Sequence, residues 1–146
     1  LAEAAARARC ADDAVRAFNR DFRDMLQRGA TTTWEAWRAE NHDSLNHAWS
    51  APLPHLVRRA VVGLDPETPG YEALSLQPDL TAFDTLEAVC TIPQGPVALS
   101  WQRAAPGAYD LSITIPDSVV GHLRTPEKTV DIRGRWEGRI ETPNHG

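Results

Sequence analysis

Cysteine is nearly absent from this chain. The 146 residues hold two, Cys10 and Cys90, with no Cys-x-x-Cys pair and no histidine at ligand spacing, which excludes a disulfide framework and a common structural zinc site. Both read as free, buried thiols. Long apolar runs are also missing: Ala60 to Leu64 and Val89 to Ile92 are far too short to cross a bilayer. No run of lysine or arginine occurs, and a net charge of −5 with a pI near 5.5 argues against nucleic acid or an anionic membrane as partner, since neither polyanion gains from an acidic surface. The chain opens on Leu1 without a basic segment followed by an apolar one, so no signal peptide is read and a cytoplasmic location is the expectation. Its opening inside an alanine-rich helical pattern suggests a piece of something longer. Neither an internal repeat nor a low-complexity tract is present, and nothing calls for a cofactor.

What is there is an ordinary globular mixture, 42% hydrophobic and 24% charged, enough to bury a core. Across residues 3 to 28, Val15, Phe18, Phe22, Met25 and Leu26 recur at separations that place them on one helical face, and Gly29 stands at the C′ position. The opposite face carries Arg16, Arg20, Asp21 and Asp24, a solvated surface. The β-branched run Thr31-Thr32-Thr33 is poor helix material, so Trp34 and Glu35 are expected on an extended connection, and Arg38 to Asp43 on a polar surface loop with a solvated His42. Ser44 or Asn46 is expected to cap the next helix, which starts no earlier than about Pro54, buries Leu53, Leu56, Val57, Ala60 and Val61, and stops at Gly63.

The breaker run Asp65-Pro66-Glu67-Thr68-Pro69-Gly70 then marks a boundary, beyond which the hydrophobic period changes from 3.6 to 2. Strands are expected over Glu72 to Gln77, Thr85 to Ile92, Pro96 to Gln102, Tyr109 to Ile115, Ser118 to Leu123, Thr129 to Arg133 and Arg135 to Thr142. Without intervening helices these form an antiparallel β-sandwich, with no parallel pairing. The fold class is therefore α+β in two parts, 1–64 and 65–146.

Chemistry concentrates in Thr31-Thr32-Thr33-Trp34-Glu35-Ala36-Trp37 and Ser44-Leu45-Asn46-His47-Ala48-Trp49-Ser50, which bring three of the five tryptophans beside one carboxylate and one imidazole. Aromatic rings stack on the apolar face of a pyranose, and a carboxylate supplies acid or base at a glycosidic bond. The plainer alternative is a loop pinned into a core by its tryptophans. A metal site from His42, Asp43 and His47 is the other competitor, with a loop spacing too unspecific to favour it, so no metal is assigned. His55 reads as structural, and His122 and His145 as surface residues.

These blocks, followed by Gly63-Leu64-Asp65-Pro66, Pro69-Gly70-Tyr71, Gln77-Pro78, Pro93-Gln94-Gly95-Pro96 and Ser100-Trp101, resemble in order the C-terminal part of bacterial α-L-rhamnosidases of glycoside hydrolase family 78. The resemblance implies that 1–64 are the last helices of a catalytic (α/α)6 toroid and 65–146 the β-sandwich that follows it. It implies an inverting glycosidase acting on terminal α-L-rhamnosyl residues of a glycoside or oligosaccharide, with Glu35 as general base. His47 would line the sugar site, with Trp34, Trp37 and Trp49 packed around it. The family's general acid lies far upstream, so the resemblance also implies that the remainder of the same polypeptide is needed, and that this chain alone is incomplete and inactive. A non-catalytic accessory or carbohydrate-binding module with a helical lead-in is the alternative.

Overall fold

The computed structural model describes residues 11–36, 43–48 and 53–142 of the chain. They fall into two compact units that divide between Ala60 and Val61. In the first, helix α1 (Ala11–Gln27) carries Phe18 and Phe22 one turn apart, their rings edge to face at 6.3 Å and 62°. Met25, one turn further, is buried, whereas Leu26 is 69% exposed. Leu26 was expected on the buried face, but one residue along a helix is a rotation of about 100°, enough to carry it to solvent. The helix ends at Gly29, whose φ of +81° suits a residue without Cβ. The Gly29 N–H donates to the Leu26 carbonyl and the Ala30 N–H to that of Met25, the paired bonds of a Schellman motif, and Ala30 packs against the cluster of Met25 and Trp34.

The second helical segment is short. Helix α2 (Leu53–Val57) passes directly into a π-helical turn, Arg58–Val62, in which Ala60, Val61 and Val62 are buried. Neither Ser44 nor Asn46 caps it. Their groups bond to each other instead, Asn46 N–H to Ser44 Oγ at 3.3 Å and Ser44 Oγ–H to the Asn46 carbonyl at 2.9 Å, in a local turn well ahead of Leu53.

Beyond the π-helical turn the described elements are β-strands, apart from one 3-10 turn at Pro69–Tyr71. The strands are β1 (Leu64–Pro66), β2 (Ala73–Leu76), β3 (Thr85–Ile92), β4 (Gly95–Ala105), β5 (Ala108–Thr114), β6 (Val120–Arg124), β7 (Thr129–Ile132) and β8 (Arg135–Glu141). They form two four-stranded sheets, ordered β1-β2-β6-β7 and β3-β4-β5-β8. Alternation decides which side chains face inward: Val97, Leu99 and Trp101 on β4, and Tyr109, Leu111 and Ile113 on β5, are buried, while Ala98, Ser100, Asp110 and Ser112 between them face the other way. Leu74 and Leu76 on β2, Leu123 on β6 and Ile132 on β7 are the buried members of the other sheet, and each such side chain contributes about 1.5–3 kcal/mol by leaving water. The buried Trp101 indole donates its N–H to the Phe83 carbonyl at 2.8 Å, so the ring is apolar packing with its single polar group satisfied. Two-residue links, Pro93-Gln94 and Pro106-Gly107, join β3 to β4 and β4 to β5.

Three features depart from the sequence expectation. Leu64–Pro66, within the stretch read as a boundary, is strand β1, paired antiparallel with β2 through Leu64↔Leu76 and Pro66↔Leu74. Proline is tolerated there because β1 is an edge strand. Strands β2 and β6 run parallel, Ala73↔Val120 through Leu76↔Leu123, against the expectation of antiparallel pairing throughout. A parallel pair needs a long crossover, and here β3, β4 and β5 of the opposite sheet provide it where a helix often would. Finally, Cys90 on β3 is only half-buried, because it sits on an edge strand, while Cys10 lies outside the described residues.

Candidate active site

Glu35 is held by two backbone runs that the sequence separates. The Glu35 N–H donates to the Ser44 carbonyl at 2.9 Å and the His47 N–H to the Thr33 carbonyl at 3.2 Å, so Thr33 to Glu35 and Ser44 to His47 lie side by side. The Thr32 hydroxyl, donating to the Leu45 carbonyl, adds a third link. In this frame the Ser44 N–H donates to Glu35 Oε2 at 3.0 Å, and His47 Nδ1 lies 3.7 Å from the same oxygen. The latter distance is an ion-pair separation rather than a hydrogen bond. Both side chains are about one-third exposed, Glu35 at 33% and His47 at 34%, so water reaches the pair without surrounding it.

Trp34, next to Glu35 in sequence, is buried where Glu35 is not. Its indole is 5% exposed, packed with Met25, Phe22 and Ala30, and the Arg28 guanidinium lies 4.9 Å from its ring centre. Trp34 thus fixes the segment to the end of α1 and sets the direction in which Glu35 projects. Trp37 and Trp49 lie outside the described residues, as does His42. Among the described residues no group of three His, Cys, Asp or Glu side chains is arranged to hold a metal ion.

The sequence reading missed the Ser44 amide as a partner of Glu35, because a backbone donor leaves no mark on residue identity. It also missed a cluster on the sandwich. His122, expected at the surface, is half-buried on β6, with Nδ1 2.5 Å from Glu67 Oε2 and Nε2 3.7 Å from Asp131 Oδ1. The Arg124 guanidinium donates to Glu67 Oε1 at 2.7 Å. That hydrogen bond, followed by the one from His122, holds the Glu67 carboxyl below the usual glutamate range. The cluster joins the turn after β1 to β6 across 55 residues of sequence, too far for any local pattern to signal.

Comparison with known proteins agrees with the fold. Residues 63–138 match the family model of the bacterial alpha-L-rhamnosidase C-terminal domain. An alpha-L-rhamnosidase of Formosa agariphila is 27% identical over 111 residues, which cover 69% of this chain and 12% of that protein. Among solved structures, the alpha-L-rhamnosidase from Dictyoglumus thermophilum superposes with a TM-score of 0.68 at 20% identity over 83% of this chain and 17% of that one. The Aspergillus terreus enzyme gives 0.66 at 21% identity over 80% and 15%, respectively. The Streptomyces avermitilis enzyme, solved in complex with L-rhamnose, gives 0.60 at 18% identity over 82% and 14%. The chain therefore spans 12% of the length of the curated relative it matches. With more than half of its residues within the family model, and the same two-sheet fold in the solved relatives, the chain belongs to the bacterial alpha-L-rhamnosidase C-terminal domain family.

Proposed function

We propose that this chain is the C-terminal part of an inverting α-L-rhamnosidase that removes terminal α-L-rhamnosyl residues from a glycoside or oligosaccharide. Residues 1–64 are on this reading the last helices of a catalytic (α/α)6 domain, and the sandwich is the domain that follows it. The observation that supports it most is the convergence of Glu35 and His47, distant in sequence, on one partly solvated spot with a carboxylate oxygen 3.7 Å from an imidazole nitrogen. Glu35 acts as the general base, taking a proton from the water that attacks the anomeric carbon, while a carboxylic acid from upstream sequence protonates the leaving oxygen. His47 lines the sugar site. Trp34 backs the wall of that site from its buried position, and Trp37 and Trp49 complete the wall.

An inverting enzyme needs two carboxyl groups roughly 6.5–9.5 Å apart, leaving room for the water between base and sugar. This chain supplies one. We therefore expect the isolated chain to leave aryl α-L-rhamnosides intact, and turnover by pure protein that vanished in a Glu40→Gln or Asp43→Asn variant would overturn the assignment. In the longer enzyme Glu35→Gln keeps shape and removes the base, so kcat falls by roughly 10² to 10⁴ while folding and sugar binding persist. A kcat within a few fold of the parent would make Glu35 a packing residue.

A further inference from the structure

The outward face of the β3-β4-β5-β8 sheet carries an open trough of about 760 Å³ that the catalytic reading leaves unused. Strand register builds it. Glu87, Ser100, Ser112 and Glu137 are directly paired across the four strands, forming one row. Gln102, Asp110 and Arg139 are paired in the row beside it. In the first row the two central strands contribute the short serines between the longer Glu87 and Glu137 of the edge strands, so the floor there is low and its rims are high.

Its chemistry is hydroxyl, amide, carboxylate and guanidinium, with no apolar or aromatic side chain in either row. Four of the charged groups are paired with one another: Arg139 Nε and Nη2 donate to the two oxygens of Asp110 at 2.8 and 3.0 Å, and Arg135 holds Glu137 Oε1 at 2.5 Å, with the Ser112 hydroxyl 3.4 Å from the same atom. These contacts hold the Asp110 and Glu137 carboxyls below their usual range. The paired groups keep the frame of the trough in place, and two guanidiniums against three carboxylates, Glu87 included, leave a near-balance of charge that favours neither a polyanion nor a polycation.

We propose that this trough binds a neutral saccharide chain, its hydroxyls bonding to Glu87, Ser100, Gln102 and Ser112, as a secondary site for the glycan on which the enzyme works. The proposal rests on the rhamnosidase reading for the identity of the glycan, but the trough and Glu35 belong to different units and are tested separately. Without an aromatic platform the affinity comes from hydrogen bonds alone, and a Kd on the order of 10⁻⁴ to 10⁻³ M is expected.

The test is an amide NMR titration of the full 146-residue chain with short, neutral rhamnose-containing oligosaccharides, alongside a polyuronate and an oligolysine of similar length. Saturable shifts confined to 85–87, 100–102, 110–112 and 137–139 support the proposal. Filling the floor with Ser112→Phe should weaken binding at least tenfold, Glu87→Ala and Gln102→Ala should each weaken it severalfold without altering the fold, and Glu35→Gln should leave it unchanged. Absence of saturable shifts, shifts centred on 33–47, indifference to both Glu87→Ala and Gln102→Ala, or tighter binding of the polyuronate or oligolysine would each overturn it. If hydrolysis by the longer enzyme proved independent of Glu35 while trough binding persisted, the catalytic reading alone would fall.

Discussion

Gly63 stands where the π-helical turn gives way to β1, and replacing it with alanine should unfold the sandwich more effectively than most core truncations. Its φ is +68°, a conformation that costs an L-residue about 1–2 kcal/mol. The added methyl would lie 1.9 Å from the Gln77 carbonyl oxygen and 2.2 Å from its carbon. That backbone has little room to retreat, because the Gln77 N–H donates back to the Gly63 carbonyl at 2.9 Å and the Asp79 N–H donates to Val61 at 2.9 Å. Relieving the overlap breaks at least one of these bonds, at about 1 kcal/mol, and pulls Val61, Val62 and Leu64 from positions in which they are almost wholly buried. The total is at least ~4 kcal/mol, a large fraction of the stability of a domain of this size. Gly70→Ala is the internal control: φ is +73°, but nothing lies within 4 Å of the new methyl, so only the conformational cost of about 1–2 kcal/mol applies. Urea unfolding followed by Trp101 fluorescence gives both values. If Gly63→Ala cost no more than Gly70→Ala, the steric argument would be refuted.

A truncation follows from the same residues. A chain beginning at Val61 should give a β-type far-UV dichroism spectrum and a cooperative transition, whereas one beginning at Asp65 removes Val61, Val62 and Leu64, at about 1.5–3 kcal/mol each for the buried side chains, and should not fold. A cooperative transition in the shorter chain would count against β1 as part of the sandwich. Glu67 makes a pH-dependent contribution. Because Arg124 and then His122 depress its folded pKa, the stabilisation is complete above the unfolded glutamate value of about 4.3 and disappears as pH falls through the lower folded value. The difference in Tm between the parent and Glu67→Gln should therefore be largest above about pH 5 and close towards zero in acid, and a difference independent of pH would show that Glu67 acts by packing.

Residue order alone was enough for elements defined by their own neighbourhood. Phe18, Phe22 and Met25 announce a helical face, Gly29 its end, and Val97-Leu99-Trp101 and Leu111-Ile113 their inward rows, because each signal spans fewer than ten residues and the period of burial is the period of the backbone. The Thr-Thr-Thr-Trp-Glu and Asn-His-Ala-Trp blocks single out Glu35 and His47 as candidates by residue type, and the fold brings the two within 3.7 Å. Only the tertiary structure decided what depends on a distant partner. The β2–β6 pairing is parallel because three strands of the other sheet intervene, and Leu64–Pro66 becomes a strand because β2 is there to receive it, a pairing strong enough to override the turn preferences of Asp65 and Pro66. Ser44 serves Glu35 through its backbone N–H, Trp34 faces a core instead of solvent, and His122 finds Glu67 across 55 residues. Alternation gives the direction of a side chain relative to its own strand, but the group it meets there is set by register and topology, which are long-range properties of the whole chain.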